Sequence, residues 1–293
     1  MLRQSHDQAA GLRGLMRSRA VKVIAVTGGK GGVGKTNVAV NLGTALARLG
    51  RDAMLLDADL GLANVDVLLG IRTPRNLEHV LSGECTLQEV VVTAPSGLRV
   101  VPASSGNFQM AALSAPQHAG LIGAFSELFE PLDVLLIDTA AGLSDSVLTF
   151  SAAAHRVVVF VCDEPASLTD AYGLIKSLSR RAPSCRFEVV ANMVDNAAHG
   201  RQLFEKLDRA CQRFLELSPS YCGYVPRDEY LRRAVQKQAT VLEAYPASPS
   251  ARAFRTLAGS IDAWPQPDRA QGGLEFFLER QLRAGTAAAA ECQ

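Results

Sequence analysis

What the 293 residues lack narrows the choice first. Neither sign of charge dominates: 30 Lys and Arg stand against 29 Asp and Glu, a net charge of +1. No global field draws the chain to a polyanion, so direct nucleic-acid binding is not expected and any such contact must be local. The cysteines Cys85, Cys162, Cys185, Cys211, Cys222 and Cys292 show neither a CxxC spacing nor a cluster with His. A disulfide framework, a zinc site and an iron–sulfur site are therefore not suggested, and reduced thiols in a cytosolic protein are expected. No apolar run approaches the ~20 residues that span a bilayer. Met1 to Met16 is polar and charged rather than signal-like. Membrane contact, if it occurs, is expected to be peripheral, on the inner face of the cytoplasmic membrane.

What is present is concentrated in one stretch. Gly29, Lys30, Gly31, Gly32, Val33, Gly34, Lys35 and Thr36 spell GxxxxGK[ST], followed by Asn37. The apolar run Val21 to Thr27 before it reads as a buried strand. After it, Val38, Leu42, Ala45, Leu46 and Leu49 recur at helical spacing. Between a strand and a helix such a loop curls its N–H groups around phosphates at the positive end of the helix dipole. Lys35 then reaches the β- and γ-phosphates, and the Thr36 hydroxyl is placed to ligate Mg²⁺. Two ammonium groups in one loop, Lys30 and Lys35, repel each other unless polyphosphate neutralises them.

KGGVGKT, with its additional lysine, resembles the deviant P-loop of the MinD- and ParA-type ATPases. The resemblance implies an ATP-dependent homodimer in which Lys30 reaches across to the partner's phosphates, as an arginine finger does. Lys30, Lys35 and Asp59 would then be the catalytic residues, turning ATP into ADP and phosphate. Leu55 to Asp66 (LLDADLGLANVD) is similar to the family's first switch: Asp57 would support the Mg²⁺ shell, Asp59 would orient the attacking water, and Asn64 and Asp66 would be switch or dimer contacts. Val134 to Asp138 is an apolar run ending in a carboxylate, which would hold water of the Mg²⁺ shell. Thr139 to Gly142 follows it like the second switch. The metal set is thus Thr36, Asp57 and Asp138. Asn192, ending the strand Arg186 to Asn192, resembles the family's adenine-reading asparagine, whose amide offers both donor and acceptor. No NKxD-like motif for guanine appears. Pro226 and Asp228 are either purine contacts or a turn.

Alternating strands and helices led by a phosphate loop predict an α/β fold, a mainly parallel sheet with helices on both faces. Arg75 to Val92 reads as a short helix and a loop, and Pro116 to Phe129 as a helix. Three segments are expected: 1–19, an ATPase domain over 20–264, and 265–293. Asp7 to Arg13 (DQAAGLR) resembles the DQAxxLR motif of the FlhG/FleN family, the MinD-like ATPases of flagellar number, in which it stimulates an FlhF-type GTPase; a solvated tail is the other reading. That resemblance implies, besides the GTPase, flagellar switch components or a flagellar transcription regulator as partners. Leu274, Phe277, Leu278 and Leu282 share one face of a C-terminal helix, with Phe276 pointing elsewhere. This helix either targets a membrane or docks on the protein's own body, and Glu275 and Glu279 weaken the first option. The alternatives in function are a division-site or partition ATPase and an ATP-gated scaffold of low turnover.

Overall fold

A computed structural model describes residues 20–104, 113–128, 131–267 and 276–277. Its eight strands are β1 Lys22–Thr27, β2 Ala53–Ala58, β3 Val92–Thr93, β4 Arg99–Val101, β5 Val134–Thr139, β6 Arg156–Val161, β7 Arg186–Val194 and β8 Ser220–Pro226. They form one sheet in the order β3-β4-β2-β5-β1-β6-β7-β8. Only β3, paired with β4, runs antiparallel. The strands read as continuous apolar runs because both faces are covered. Along β1, Val23 and Ala25 enter the core on one face, and Ile24 and Val26 the core on the other.

Helices α1 Lys35–Arg48, α2 Val65–Leu69, α3 Leu77–Leu81, α4 Leu87–Val90, α5 Ala115–Ala124, α6 Asp145–Ala152, α7 Pro165–Arg181, α8 Ala197–Leu215, α9 Glu229–Gln236, α10 Val241–Ala244 and α11 Pro249–Asp262 supply that cover. Helix α11 packs beside α1 and closes the fold electrostatically. Arg51 grips Asp262 through two bonds of 2.7 and 2.8 Å, and the Lys22 ammonium donates to the last carbonyls of α11, 3.3 Å to Ile261 and 2.6 Å to Asp262. A cation there also meets the negative end of the helix dipole.

Three expectations change. The segment 75–92 holds two short helices and β3 rather than one helix and a loop, because Asn76 with His79 and Thr86 with Glu89 each form a capping box. Helix α5 stops at Ala124 and passes into a 3₁₀ turn, Phe125–Glu127; Phe129 lies outside the described residues. The wheel drawn for the C-terminal segment fails at its centre. Phe277 has φ 62°, which a right-handed helix does not admit, and Phe276 and Phe277 are both buried, their rings edge-on to Phe125 at 5.0 and 6.1 Å. Of the two readings of that segment, docking on the protein's own body holds for these two residues, and Phe276 does not point away. The motif at 7–13 lies outside the described residues.

Candidate nucleotide site

The phosphate loop leaves the carboxyl end of β1, at the sheet's centre, where ligands of open α/β sheets gather. Gly34, in the left-handed conformation at φ 80°, turns the chain into α1. No side chain caps this helix, whereas Ser, Thr, Asn or Asp side chains cap α3, α6, α8, α9, α10 and α11. The first N–H groups of α1 thus remain for an external acceptor. Gly29 has another reason: a Cβ there would lie 2.4 Å from the Asp170 backbone in α7, so only glycine lets the loop pass under that helix.

Lys35 is buried, and burial pulls its pKa down against the attraction of Asp138 and Asp59; its ammonium donates to the Lys30 carbonyl at 3.3 Å. Lys30 points outward instead. It forms an ion pair with Glu164, just before α7, whose hydrogen bond and charge raise the Lys30 pKa. Asn37 accepts at 2.8 Å from Asn41, which in turn accepts from the Val241 N–H at 2.8 Å, so Asn37 is tied to the body of α1.

Opposite the loop stand the carboxylates. Asp57 and Asp138 are register partners across β2 and β5, hence neighbours on one face, and both are buried. Asp57 accepts from the N–H groups of Asp59 at 3.1 Å, Asn64 at 3.2 Å and Val65 at 3.3 Å, which binds the following loop to the strand; burial still pushes its pKa up to about 7. No donor meets either buried Asp138 oxygen with hydrogen-bond geometry, although the Thr36 hydroxyl lies near enough to favour its charged form; burial first, then Asp57, outweighs that and lifts its pKa well above the usual carboxylate range. Asp59 is half-buried; desolvation raises its pKa, and Leu62 N–H, 3.3 Å away, and Lys35 oppose the rise. Asn64 and Asp66 serve the same loop, Asn64 donating to the Leu62 carbonyl at 2.6 Å and Asp66 accepting from Val67 at 2.8 Å.

The donor set is hard oxygen: the Thr36 hydroxyl, an orphaned Asp138 and the supported Asp57. That suits Mg²⁺, which keeps several waters and takes one or two carboxylates with substrate phosphates rather than an all-protein cage. Among the described residues no three His, Cys, Asp or Glu side chains converge as a cage.

On the other side of the loop, a bulge at Met193, with φ 56°, interrupts the pairing of β7 and β8. Asn192, buried beside it, donates from Nδ2 to the Val33 carbonyl at 2.7 Å, while its Oδ1 is buried with no partner. The structure thus brings Asn192 to the loop and leaves it an acceptor. Pro226 ends β8. Asp228 caps α9 through Tyr230 N–H at 2.9 Å and holds Ser250 through its N–H at 2.9 Å and hydroxyl at 2.6 Å. Both its oxygens are engaged in folding contacts, which lower its pKa against the desolvation that would raise it. Sequence reasoning missed Glu164; its place just past a buried strand at the sheet's carboxyl edge was the available signal.

Sheet order, phosphate loop and the two strand-end carboxylates define a P-loop NTPase. A family model described as "ParA: NUBPL iron-transfer P-loop NTPase" matches residues 19–262. Among curated proteins, the antiactivator FleN of Pseudomonas aeruginosa is 56% identical, over 90% of this chain and 94% of that protein. The flagellum site-determining protein YlxH of Helicobacter pylori is 30% identical, over 89% and 90%. Among solved structures, the cell division ATPase MinD of Pyrococcus furiosus superposes with a TM-score of 0.69 at 23% identity, covering 82% of this chain and 98% of that one. MinD of Pyrococcus horikoshii, solved with Mg-ADP, gives 0.68 at 24% identity, over 83% and 96%. The chain belongs to the ParA family of P-loop NTPases and, within it, to the MinD-like FlhG/FleN branch.

Proposed function

We propose that this chain is a MinD-like ATPase that dimerises with ATP, hydrolyses it to ADP and phosphate, and thereby sets flagellar number and placement. The observation that carries the reading is the pairing of an uncapped α1 terminus with an orphaned, buried Asp138 across the phosphate loop: donors for an anion face a carboxylate for a cation. Gly29 to Asn37 cradle the phosphates, Lys35 compensates their charge, and Asn192 Oδ1 accepts from the adenine amino group. Pro226 closes over the base from the side, on a turn that Asp228 holds in place through Tyr230 and Ser250. Thr36, Asp57 and Asp138 would hold Mg²⁺, which neutralises charge developing on the phosphate oxygens. Asp59 orients the attacking water. Lys30 leaves Glu164 and crosses to the partner's phosphates. Exposed Leu62, Leu143 and Met193, on the segments around the loop, are apolar surface suited to a second copy.

The working unit is residues 20–264. Residues 7–13 stimulate an FlhF-type GTPase, and flagellar switch components or a flagellar transcription regulator receive the signal. Contact of the C-terminal segment with a membrane would first require Phe276 and Phe277 to leave the core. The flagellar reading is preferred to division-site placement because FleN matches over 90% of this chain, whereas the MinD of Synechocystis matches over 51%. Phosphate release with Mg²⁺ and ATP tests the enzyme: turnover lost in Lys35→Ala supports it, and turnover retained there sinks it. GTP turnover by the partner, with and without a peptide of residues 1–19, tests the flagellar branch. A peptide without effect would remove the stimulation.

A further inference from the structure

Away from the nucleotide site, at the amino ends of β1, β6 and β7, a cavity of about 230 Å³ opens between the sheet and the segment that follows α11. Its wall is Trp264, with Pro265 and Pro267 beside it, and Lys22, His155, Arg156, Arg186 and Gln266 surround it; no carboxylate lines it. Most of these polar groups are already engaged. Arg156 pairs with the buried Glu188 and lies 4.6 Å from the centroid of the Trp264 ring. Lys22 donates to the end of α11. His155 accepts the Val23 N–H through Nδ1 at 3.2 Å, and burial draws its pKa down to about 4, so at neutral pH it brings no charge.

Two groups remain. The exposed Arg186 has no hydrogen-bond or ion-pair partner for its guanidinium among the described residues. Gln266 has a buried Oε1 that accepts nothing. A guanidinium without a hydrogen-bond partner, whose charge reaches only the buried Glu188 behind the cavity wall, a desolvated acceptor and an indole wall, set around one small space, together describe a ligand. An unpaired buried acceptor costs free energy until a donor meets it, and guanidinium binds planar anions through paired donors. A dry cavity of ~150 Å³ holds benzene, so this one admits a single ring with two small substituents. It falls below the ~300 Å³ at which pockets for larger ligands begin.

We propose that this cavity is a binding site for a small planar aromatic anion: its ring against Trp264, its acidic group on Arg186, and an N–H or O–H donor to Gln266. It is separate from the nucleotide site and does not depend on the proposed ATPase activity.

Trp264 is the only tryptophan of the chain, so full-length protein labelled with 5-fluorotryptophan gives one ¹⁹F resonance that reports on the cavity. The probe is 4-aminobenzoate, titrated with ADP and Mg²⁺ at saturation to block the phosphate loop. The expected result is a saturable shift. Arg186→Gln weakens binding about tenfold, and the uncharged 4-aminobenzamide binds the parent about tenfold more weakly, the usual scale of one lost charge-assisted contact. Gln266→Leu weakens 4-aminobenzoate about fivefold but leaves benzoate, which has no donor, unchanged. A shift that fails to saturate, equal binding of the amide, or full affinity in Arg186→Gln would overturn the proposal.

Discussion

Asp138→Asn should make the nucleotide-free protein more stable while disabling it. The parent buries two carboxylates as register neighbours, Asp57 and Asp138, with only Asp57 supported by N–H donors. A pKa raised on folding is a stability cost at high pH. The unfolded Asp57 ionises near 3.8 and the folded one near 7, so the folded state's advantage is full below pH 3.8, declines as pH rises towards 7, and is gone above it. At about 1.4 kcal/mol per pH unit, the difference at pH 8 is about 4 kcal/mol for Asp57. Asp138 shifts in the same direction, mainly by desolvation and partly through Asp57. Asparagine removes a buried acid whose ionisation opposes that of Asp57, and its amide can donate to the Asp57 carboxylate. Against this stands the burial of a polar amide, so the net gain is about 1 to 3 kcal/mol at pH 8. For a chain of this size that raises Tm by roughly 2 to 10 °C. The assay is thermal unfolding without nucleotide, in EDTA, at pH 5 and pH 8, repeated with ATP and Mg²⁺. The gain should appear at pH 8 and shrink at pH 5, where Asp57, titrating at about 7, no longer carries the charge that Asp138 repels, and Mg²⁺ with ATP should stabilise the variant less than the parent. A variant less stable than the parent at pH 8, or a gain equal at both pH values, refutes the argument.

Other outcomes follow from the same contacts. Lys30→Ala should remain monomeric with ATP and Mg²⁺ in light scattering, since the loop then has no charge to send across an interface; dimerisation as in the parent would end the trans role. Glu164→Gln frees Lys30 from an ion pair that lies in solvent and is correspondingly weak, so it should lower the ATP concentration for dimerisation by no more than about fivefold; a higher requirement would mean that Glu164 assists rather than competes. Asp59→Ala should bind nucleotide and dimerise but lose turnover, read by phosphate release; unchanged hydrolysis assigns the water to another group. Phe276→Ala removes a ring buried against Phe125 and should lower Tm, with a cost of up to ~3 to 5 kcal/mol that falls short where the segment can detach by itself; an unchanged Tm would show that the segment contributes nothing to the fold.

The central features were legible because each lies in one short run of sequence. A strand, glycines, Lys35, Thr36 and an amphipathic helix occupy residues 21 to 49, and both strand-end aspartates close apolar runs. What could not be read depends on partners far away in the chain. Gly29 is needed because of the α7 backbone at Asp170, and nothing near residue 29 says so. Lys30 finds Glu164, 134 positions on. Asp228 sits where a base contact was expected, yet its oxygens hold α9 and the start of α11, a demand set by Ser250. The C-terminal wheel assumed one continuous helix, and the left-handed φ at Phe277 breaks the periodicity on which the reading rested.

Around the phosphate loop the chain collects features that each weaken the fold. Asp57 and Asp138 are adjacent buried acids, Lys35 is a desolvated cation, Asn192 carries an unmet acceptor, Met193 has a left-handed backbone without being glycine, and α1 begins without a cap. A sequence selected for stability alone would relieve two of them with one substitution each, an asparagine at 138 and a glycine at 193, and would begin α1 from an extended, side-chain-capped residue in place of the left-handed Gly34. One common partner relieves most of them together. On the proposed function, phosphates would accept from the uncapped N–H groups and neutralise Lys35, a divalent cation would satisfy the acids, and an amino group on a base would meet Asn192. Ligand binding of this kind adds stability by mass action, about 2.7 kcal/mol at a hundredfold excess over Kd. The same arithmetic makes the segments on these residues, including the loop that Asp57 holds through three N–H groups, more ordered when the site is filled. On the proposed function, a partner that recognises the ordered form would read the nucleotide without touching it, and loss of the γ-phosphate would weaken that form by whatever share of the relief it supplied.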